Sequence, residues 1–336
     1  MTRSTQLITS FFFLLISCTT TLLANEETLI HCGHLIAVPG QPTQSQMTIV
    51  VIDDRIDRVI AGYAQPDNLG LDEDTTVIDL KDQWVTPGLI DCHTHLTGQL
   101  KPAIERMRSR MQEGEAHSAI DAVANARKTL MAGFTTVRNV GSGGSVGLAL
   151  RDRINQGVVP GPRMFVSGPP VSVTGGHGDP TNALSPALRP DLDAQLAPAD
   201  GPYEARKAVR ARIREGVDLI KITATGGVLS PTAAGVEQQF FVDELESIIQ
   251  AARTMGRKVA AHAHGTNGIN AALRAGVDSI EHGTYLDDES IDLFKKTGAY
   301  LVPTIHAGKF VEEKAKVDGY FPPSIRDKAA AVGPLI

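Results

Sequence analysis

The chain has 336 residues, with 32 Lys and Arg against 38 Asp and Glu and a formal net charge of -6. Hydrophobic residues make up 42%, charged residues 21% and aromatics 5%, a globular balance long enough for a large core. This excludes a disordered chain and a disulfide-stapled mini-protein. The lack of basic runs leaves no footprint for nucleic acid, and no apolar stretch approaches the roughly 20 residues of a transmembrane span.

Residues 1–24 carry a single basic side chain, Arg3, then the apolar run Phe11-Phe-Phe-Leu-Leu-Ile16, then small and polar residues. This is the three-part layout of a secretory signal peptide, and it predicts export. Two cleavage readings compete. Leu15-Ile16-Ser17-Cys18 resembles the bacterial lipoprotein box, which would make Cys18 a lipid-bearing first residue anchored in the envelope. Cleavage after Ala24 would instead release a soluble periplasmic protein. Beyond Cys18 the chain has only Cys32 and Cys92. Buried free thiols are favoured over a bridge between them, and the absence of Cys-x-x-Cys speaks against a zinc finger or a thioredoxin-like site.

Residues 25–86 read as a small β domain, expected to be a β-sandwich. Its strands are 47–52, 56–60 and 76–80, separated by Asp53-Asp54, Gly62 and Pro66-Asp67-Asn68 with Gly70. From residue 87 the pattern changes to strands alternating with helices. Three segments echo one another: Ala132-Gly-Phe-Thr-Thr-Val-Arg138, Glu215-Gly-Val-Asp-Leu-Ile-Lys221 and Ala275-Gly-Val-Asp-Ser-Ile-Glu281. Each has a glycine placed to stop a helix in a left-handed cap, then a short apolar strand. Seven strands are expected, at 87–92, 134–139, 163–167, 218–222, 258–263, 278–281 and 300–304, with helices including 203–215, 242–255 and 288–297. The rhythm is that of an α/β fold with a parallel sheet buried on both faces, a barrel or a doubly wound sheet.

Seven of the ten histidines (93, 95, 177, 262, 264, 282 and 306) fall at or just after the expected strand ends, the edge at which parallel barrels build active sites. His93 and His95 are two apart on a strand and so share a face, from which both can reach one metal ion. His262 and His282 end neighbouring strands. Lys221 also ends a strand, and an isolated buried ammonium there demands a partner or a modified state.

These segments resemble the amidohydrolase superfamily, in the branch of imidazolonepropionase-like proteins, secreted Xaa-Pro and Xaa-Arg/Lys dipeptidases and ochratoxin amidohydrolases. The resemblance rests on Thr86-Pro-Gly-Leu-Ile-Asp-Cys-His-Thr-His95, Ile220-Lys-Ile222 with Thr225-Gly-Gly227, Ala261-His-Ala-His-Gly265, Ile280-Glu-His-Gly283 and Gly175-Gly-His-Gly-Asp179. It implies a (β/α)₈ TIM-type barrel over 87–336. His93 and His95 would ligate one metal, His262 and His282 a second, and Lys221, carboxylated by carbon dioxide, would bridge them. Two divalent ions, zinc above cobalt or manganese, would activate a bridging hydroxide against the amide bond of a dipeptide or N-acyl amino acid. His177, His264 and Arg138 are the candidates for substrate binding, each with a structural alternative: a hydrogen-bonded histidine for the first two, a salt bridge for Arg138. Asp179 reads as a loop cap, His306 is open between both roles, and His31, His34 and His117 read as surface or interface residues.

The family's strand-eight aspartate has no counterpart here, since only Asp318 and Asp327 follow His306. The expectation is a barrel of about seven strands, incomplete at its C-terminus and lacking that proton shuttle. A homo-oligomer is compatible with everything the sequence carries. Three rival functions remain: an imidazolonepropionase-like cyclic amide hydrolase, a Schiff-base aldolase using Lys221, and an inactive metal-binding remnant. The aldolase leaves four histidines unexplained.

Overall fold

The computed structural model describes residues 26–182, 184–188, 198–231 and 235–336. The expected signal segment and Cys18 lie outside the described residues. Two compact units divide the chain at Pro87 and Gly88, and each is taken by itself.

In the first unit, β1 (Glu27–Leu35), β2 (Gln44–Ile52), β3 (Arg55–Ala61) and β4 (Thr76–Val85) form one sheet in the order β3-β2-β1-β4, with α1 (Pro66–Leu69) between its last two strands. The β1–β2 and β2–β3 pairs are antiparallel and β1–β4 is parallel. Among the described residues this is one layer, where two packed layers were expected. Its apolar nucleus is Cys32, Leu35, Met47 and Ile49, all on the two central strands. Central strands are covered by neighbours on both edges, which is why β3 and β4 carry the exposed side chains. His31, expected at the surface or at a domain interface, is 2% exposed and bonds the Ala64 carbonyl through Nε2 at 2.9 Å.

The second unit repeats strand and helix. Its strands are β5 (Leu89–Thr94), β6 (Phe134–Asn139), β7 (Arg163–Val166), β8 (Leu219–Thr223), β9 (Lys258–Ala263), β10 (Ser279–His282) and β11 (Tyr300–Val302). Its helices are α2 (Ala103–Gln112), α3 (Glu115–Met131), α4 (Val146–Asn155), α5 (Gly201–Arg214), α6 (Val242–Thr254), α7 (Thr266–Ala275), α8 (Asp288–Thr297), α9 (Ile305–Ala315) and α10 (Pro323–Val332). All strand pairs are parallel, in the spatial orders β5-β6-β7 and β8-β9-β10-β11. Just beyond β7, Val171 pairs in parallel with Ile222 of β8 and links the two runs. Spatial order therefore follows chain order, the succession of a singly wound barrel wall.

The local causes are those the sequence carries. Gly133, Gly216 and Gly276 all take left-handed backbone, with φ of 93°, 88° and 97°. A Cβ makes that conformation costly, so glycine at each of the three helix stops lets the chain turn back into a strand. Along α6, Leu245, Ile248, Ile249 and Ala252 lie on one face and are buried in the main core, each large aliphatic contributing roughly 1.5–3 kcal/mol. Strand β8 is buried at every position, as expected of a strand covered on both faces. Cys92 on β5 is exposed, and both it and the buried Cys32 are free thiols, so the expectation of two buried thiols holds for Cys32 alone.

Candidate metal centre

The strand ends bring six histidines together. His93 near the end of β5 and His95 just beyond it bring their ring centroids within 5.2 Å of each other. His93 is 4.9 Å from His282, which lies 4.7 Å from His262 and 4.8 Å from His264. His177, from the loop after β7, stacks on His262 at 4.3 Å. Strict alternation along β10 would aim His282 with Ile280, away from Ser279 and Glu281. His282 instead has a φ of 75°, and this left-handed end frees its ring to join the others.

Most of these rings are held by one nitrogen. His93 Nδ1 meets Glu281 Oε2 at 2.8 Å, and His95 Nδ1 meets the Gly141 carbonyl at 3.0 Å. His282 Nδ1 meets Thr304 Oγ1 and His264 Nδ1 meets Thr284 Oγ1, both at 2.7 Å. Thr304 is itself left-handed, with a φ of 54°. His262 uses the opposite nitrogen, Nε2, toward the Gly226 carbonyl at 3.3 Å. An imidazole fixed through one nitrogen offers the other as a ligand, the usual arrangement of metal-binding histidines. Ligand atoms of His262, His264 and His282 lie within 4.8 Å of one another.

Lys221 stands among these rings on β8. It is 4% exposed, and its Nζ is buried with no hydrogen-bond partner. Burial pulls its pKa down to about 8, with Glu281 opposing the shift. Burial also holds His93, His262 and His282 well below the usual imidazole range. His177 falls to about 3, through burial and then the charges of His264 and Lys221, and His264 to about 4, through burial and then Lys221 and Lys328. All of these rings are therefore neutral near pH 7, the state that binds metal. A cluster of neutral imidazoles around an orphaned buried amine fits the binding of a divalent metal better than it fits an apolar core.

The remaining sequence candidates separate clearly. His177 Nδ1 is buried without a partner, while its backbone N–H donates to Gln239 Oε1 at 2.8 Å. Arg138 is committed to protein acceptors: Nε to the Cys92 carbonyl at 2.7 Å, Nη1 to Ser279 Oγ at 3.0 Å and Nη2 to Glu281 Oε1 at 2.6 Å. Asp179 caps its loop, accepting from Gly175 N–H and from both Thr181 donors. His306 is exposed on α9, and His117 caps the start of α3. Asp318 and Asp327 are solvent-exposed beside Arg326. Sequence reasoning missed Glu281, Thr284, Thr304 and Lys328. Lys328, on α10, donates from Nζ to the carbonyls of Gly227, at 2.9 Å, and Ser230. Of these, only Glu281 left a signal, a carboxylate inside a short expected barrel strand next to a candidate ligand.

The sequence model of the Amidohydrolase family matches residues 84–327. Among curated proteins, ochratoxinase of Aspergillus niger is 33% identical over 288 residues, covering 82% of this chain and 58% of its own length. Imidazolonepropionase of Chromobacterium violaceum is 26% identical over 285 residues, covering 77% and 62%. The chain thus spans about three-fifths of the length of these relatives. Among solved structures, a Xaa-Pro dipeptidase with methionine bound in its active site superposes with a TM-score of 0.86 at 42% identity, covering 92% of this chain and 74% of that one.

Proposed function

The chain belongs to the amidohydrolase family, and from that premise we propose that it is a metal-dependent hydrolase of amide bonds in dipeptides or N-acyl amino acids. The observation that carries this reading is the neutral histidine cluster around the orphaned amine of Lys221 at the C-terminal ends of parallel strands. Similarity to a Xaa-Pro dipeptidase and to ochratoxinase supports the choice of bond.

In this reading His93 and His95 would hold one ion and His262 and His282 a second, and Lys221, once carboxylated, would be a ligand to both. The depressed pKa of Lys221 leaves more of it as free amine. That neutral amine would add to carbon dioxide: an N–C bond would form as one C=O π bond opens onto oxygen, and the proton lost from Nζ would pass to solvent, leaving an anionic carbamate in place of the orphaned amine. When bound, the ions supply an activated water and polarise the amide carbonyl. His177, neutral and with Nδ1 free, is placed to accept or donate one hydrogen bond to the substrate, and His264 borders the same space. Lys328 adds positive charge beside both rings, which favours the carboxylate end of a dipeptide. Arg138, committed to Glu281, is better assigned to supporting the site than to substrate. The apolar segment at 11–16 supports export to the bacterial envelope.

The test is zinc loading of the full-length protein, metal analysis and a panel of Xaa-Pro, Xaa-Arg, Xaa-Lys, N-acyl and cyclic imidazolone substrates. Two zinc ions per chain and release of free amino acid are expected. Ring opening of the imidazolone alone would move the assignment to a cyclic amide hydrolase. Zinc bound with no substrate cleaved would sink the hydrolase reading, and trapping of Lys221 by borohydride with a carbonyl compound would replace it with Schiff-base chemistry.

A further inference from the structure

Glu281 is fully buried, and both of its carboxylate oxygens are engaged. Oε1 accepts from Arg138 Nη2 and from Ser279 Oγ, each at 2.6 Å, and Oε2 meets His93 Nδ1 at 2.8 Å. The carboxylate thereby joins β5, β6 and β10. Arg138 is fixed in turn by the Cys92 carbonyl and by Ser279 Oγ. An ion pair serving only to tie β6 to β10 would be complete with Oε1, yet the second oxygen is spent on a histidine of the cluster. A buried carboxylate is costly unless paired and hydrogen-bonded, so this one is kept in a single orientation by all its partners.

We infer that Glu281 is a positioning residue of the metal centre: it holds the His93 ring with its proton on Nδ1, leaving the Nε2 lone pair for the ion, while Arg138 and Ser279 fix the carboxylate. This rests on the reading of His93 as a metal ligand. The chemistry has a definite polarity. Arg138 has donors and no acceptor, so whatever atom faces it must accept. In Glu281→Gln the amide oxygen therefore keeps the Oε1 place, and the NH2 group takes the Oε2 place. That NH2 donates to His93 Nδ1, which moves the ring proton to Nε2 and removes the lone pair a metal needs. The substitution is isosteric and retains the Arg138 contact, so its effect falls on the tautomer.

Two readouts test this on the full chain. In chelator-treated protein carrying ¹⁵N-histidine, long-range ¹H–¹⁵N correlations report which nitrogen of His93 is protonated, with assignment from His93→Asn. The wild type is expected to show Nδ1–H and Glu281→Gln to show Nε2–H. Competition with a chromophoric chelator then reads zinc affinity, expected to fall about 10–100-fold for one of the two ions in Glu281→Gln. Nε2–H in the wild type overturns the inference and needs no variant to fold. So does a Glu281→Gln protein that folds and either keeps Nδ1–H or binds both ions with unchanged affinity. A wild type that binds no zinc sinks the metal-centre reading itself. The tautomer, read without metal, distinguishes that failure from a failure of Glu281 to hold the ring.

Discussion

Gly227 has no room for a side chain: a Cβ there would lie 2.2 Å from His177 Cε1 and 2.5 Å from its Nε2. Its carbonyl is also held by Lys328, so the backbone cannot simply retreat, and the His177 ring would give way instead. Gly227→Ala is expected to lower kcat/KM for a dipeptide by at least about 10-fold through misplacement of His177, with both metals retained; unchanged steady-state kinetics would remove His177 from the substrate site. At this scale the histidines were legible, because all but His177, on a glycine-rich loop, sit at or just past a strand end that pattern alone locates. Their partners were not. Thr284 and Thr304 reach His264 and His282 across loops, and the partner of the salt bridge weighed for Arg138 became identifiable only once β10 placed Glu281 opposite it.

The start of α8 shows how an element is secured beside the site. Asp287, its N-cap, accepts from Ser290 N–H at 2.8 Å, and the buried Ser290 Oγ bonds Asn270 Oδ1 at 2.6 Å and Asp287 Oδ1 at 2.8 Å. Acidic residues occupy the first turn and Lys295 and Lys296 the last, matching the helix dipole, and Gly298 closes it with a φ of 72°. Ser290→Ala removes a buried donor and leaves the 4%-exposed Asn270 short of a partner. It is expected to cost about 1–3 kcal/mol in urea unfolding, and a loss below a few tenths would show that water replaces the hydroxyl. The barrel strands and the helices α5, α6 and α8 were legible because glycine stops and apolar runs repeat with one spacing. Strand β1 was not. Its sequence, Glu27-Thr-Leu-Ile-His-Cys-Gly-His-Leu35, breaks apolar alternation with two histidines and a glycine. Gly33 is needed there because a Cβ would strike the Lys81 carbonyl at 2.0 Å, a requirement visible only once β4 lies alongside.

For the whole molecule, gathering so many neutral histidines into one centre makes folding depend on pH. In the unfolded chain each imidazole titrates near its ordinary value of about 6.5. In the folded chain His264 is lowered to about 4 and His177 to about 3, while His93, His262 and His282 lie well below their usual range. Below pH 6.5 the unfolded state therefore binds protons that the folded state refuses, and stability falls as the pH drops. The fall continues until the pH passes below each folded value, about 4 for His264 and about 3 for His177. Each such histidine contributes a slope of about 1.4 kcal/mol per pH unit, or about 2 kcal/mol at pH 5. His177 and His264 together then remove about 4 kcal/mol, against a total of about 5–15 kcal/mol for an ordinary domain. Carboxylates add little between pH 7 and 5.5, so the histidines dominate that window. Chelator-treated protein should lose stability steeply in urea between pH 6.5 and 5. Zinc-loaded protein should hold its stability to lower pH until protons displace the metal, because bound ions occupy the nitrogens that would otherwise be protonated. A metal-free profile flat from pH 7 to 5 would mean that the rings are solvated and open, and would remove the preformed centre on which the proposed activity depends.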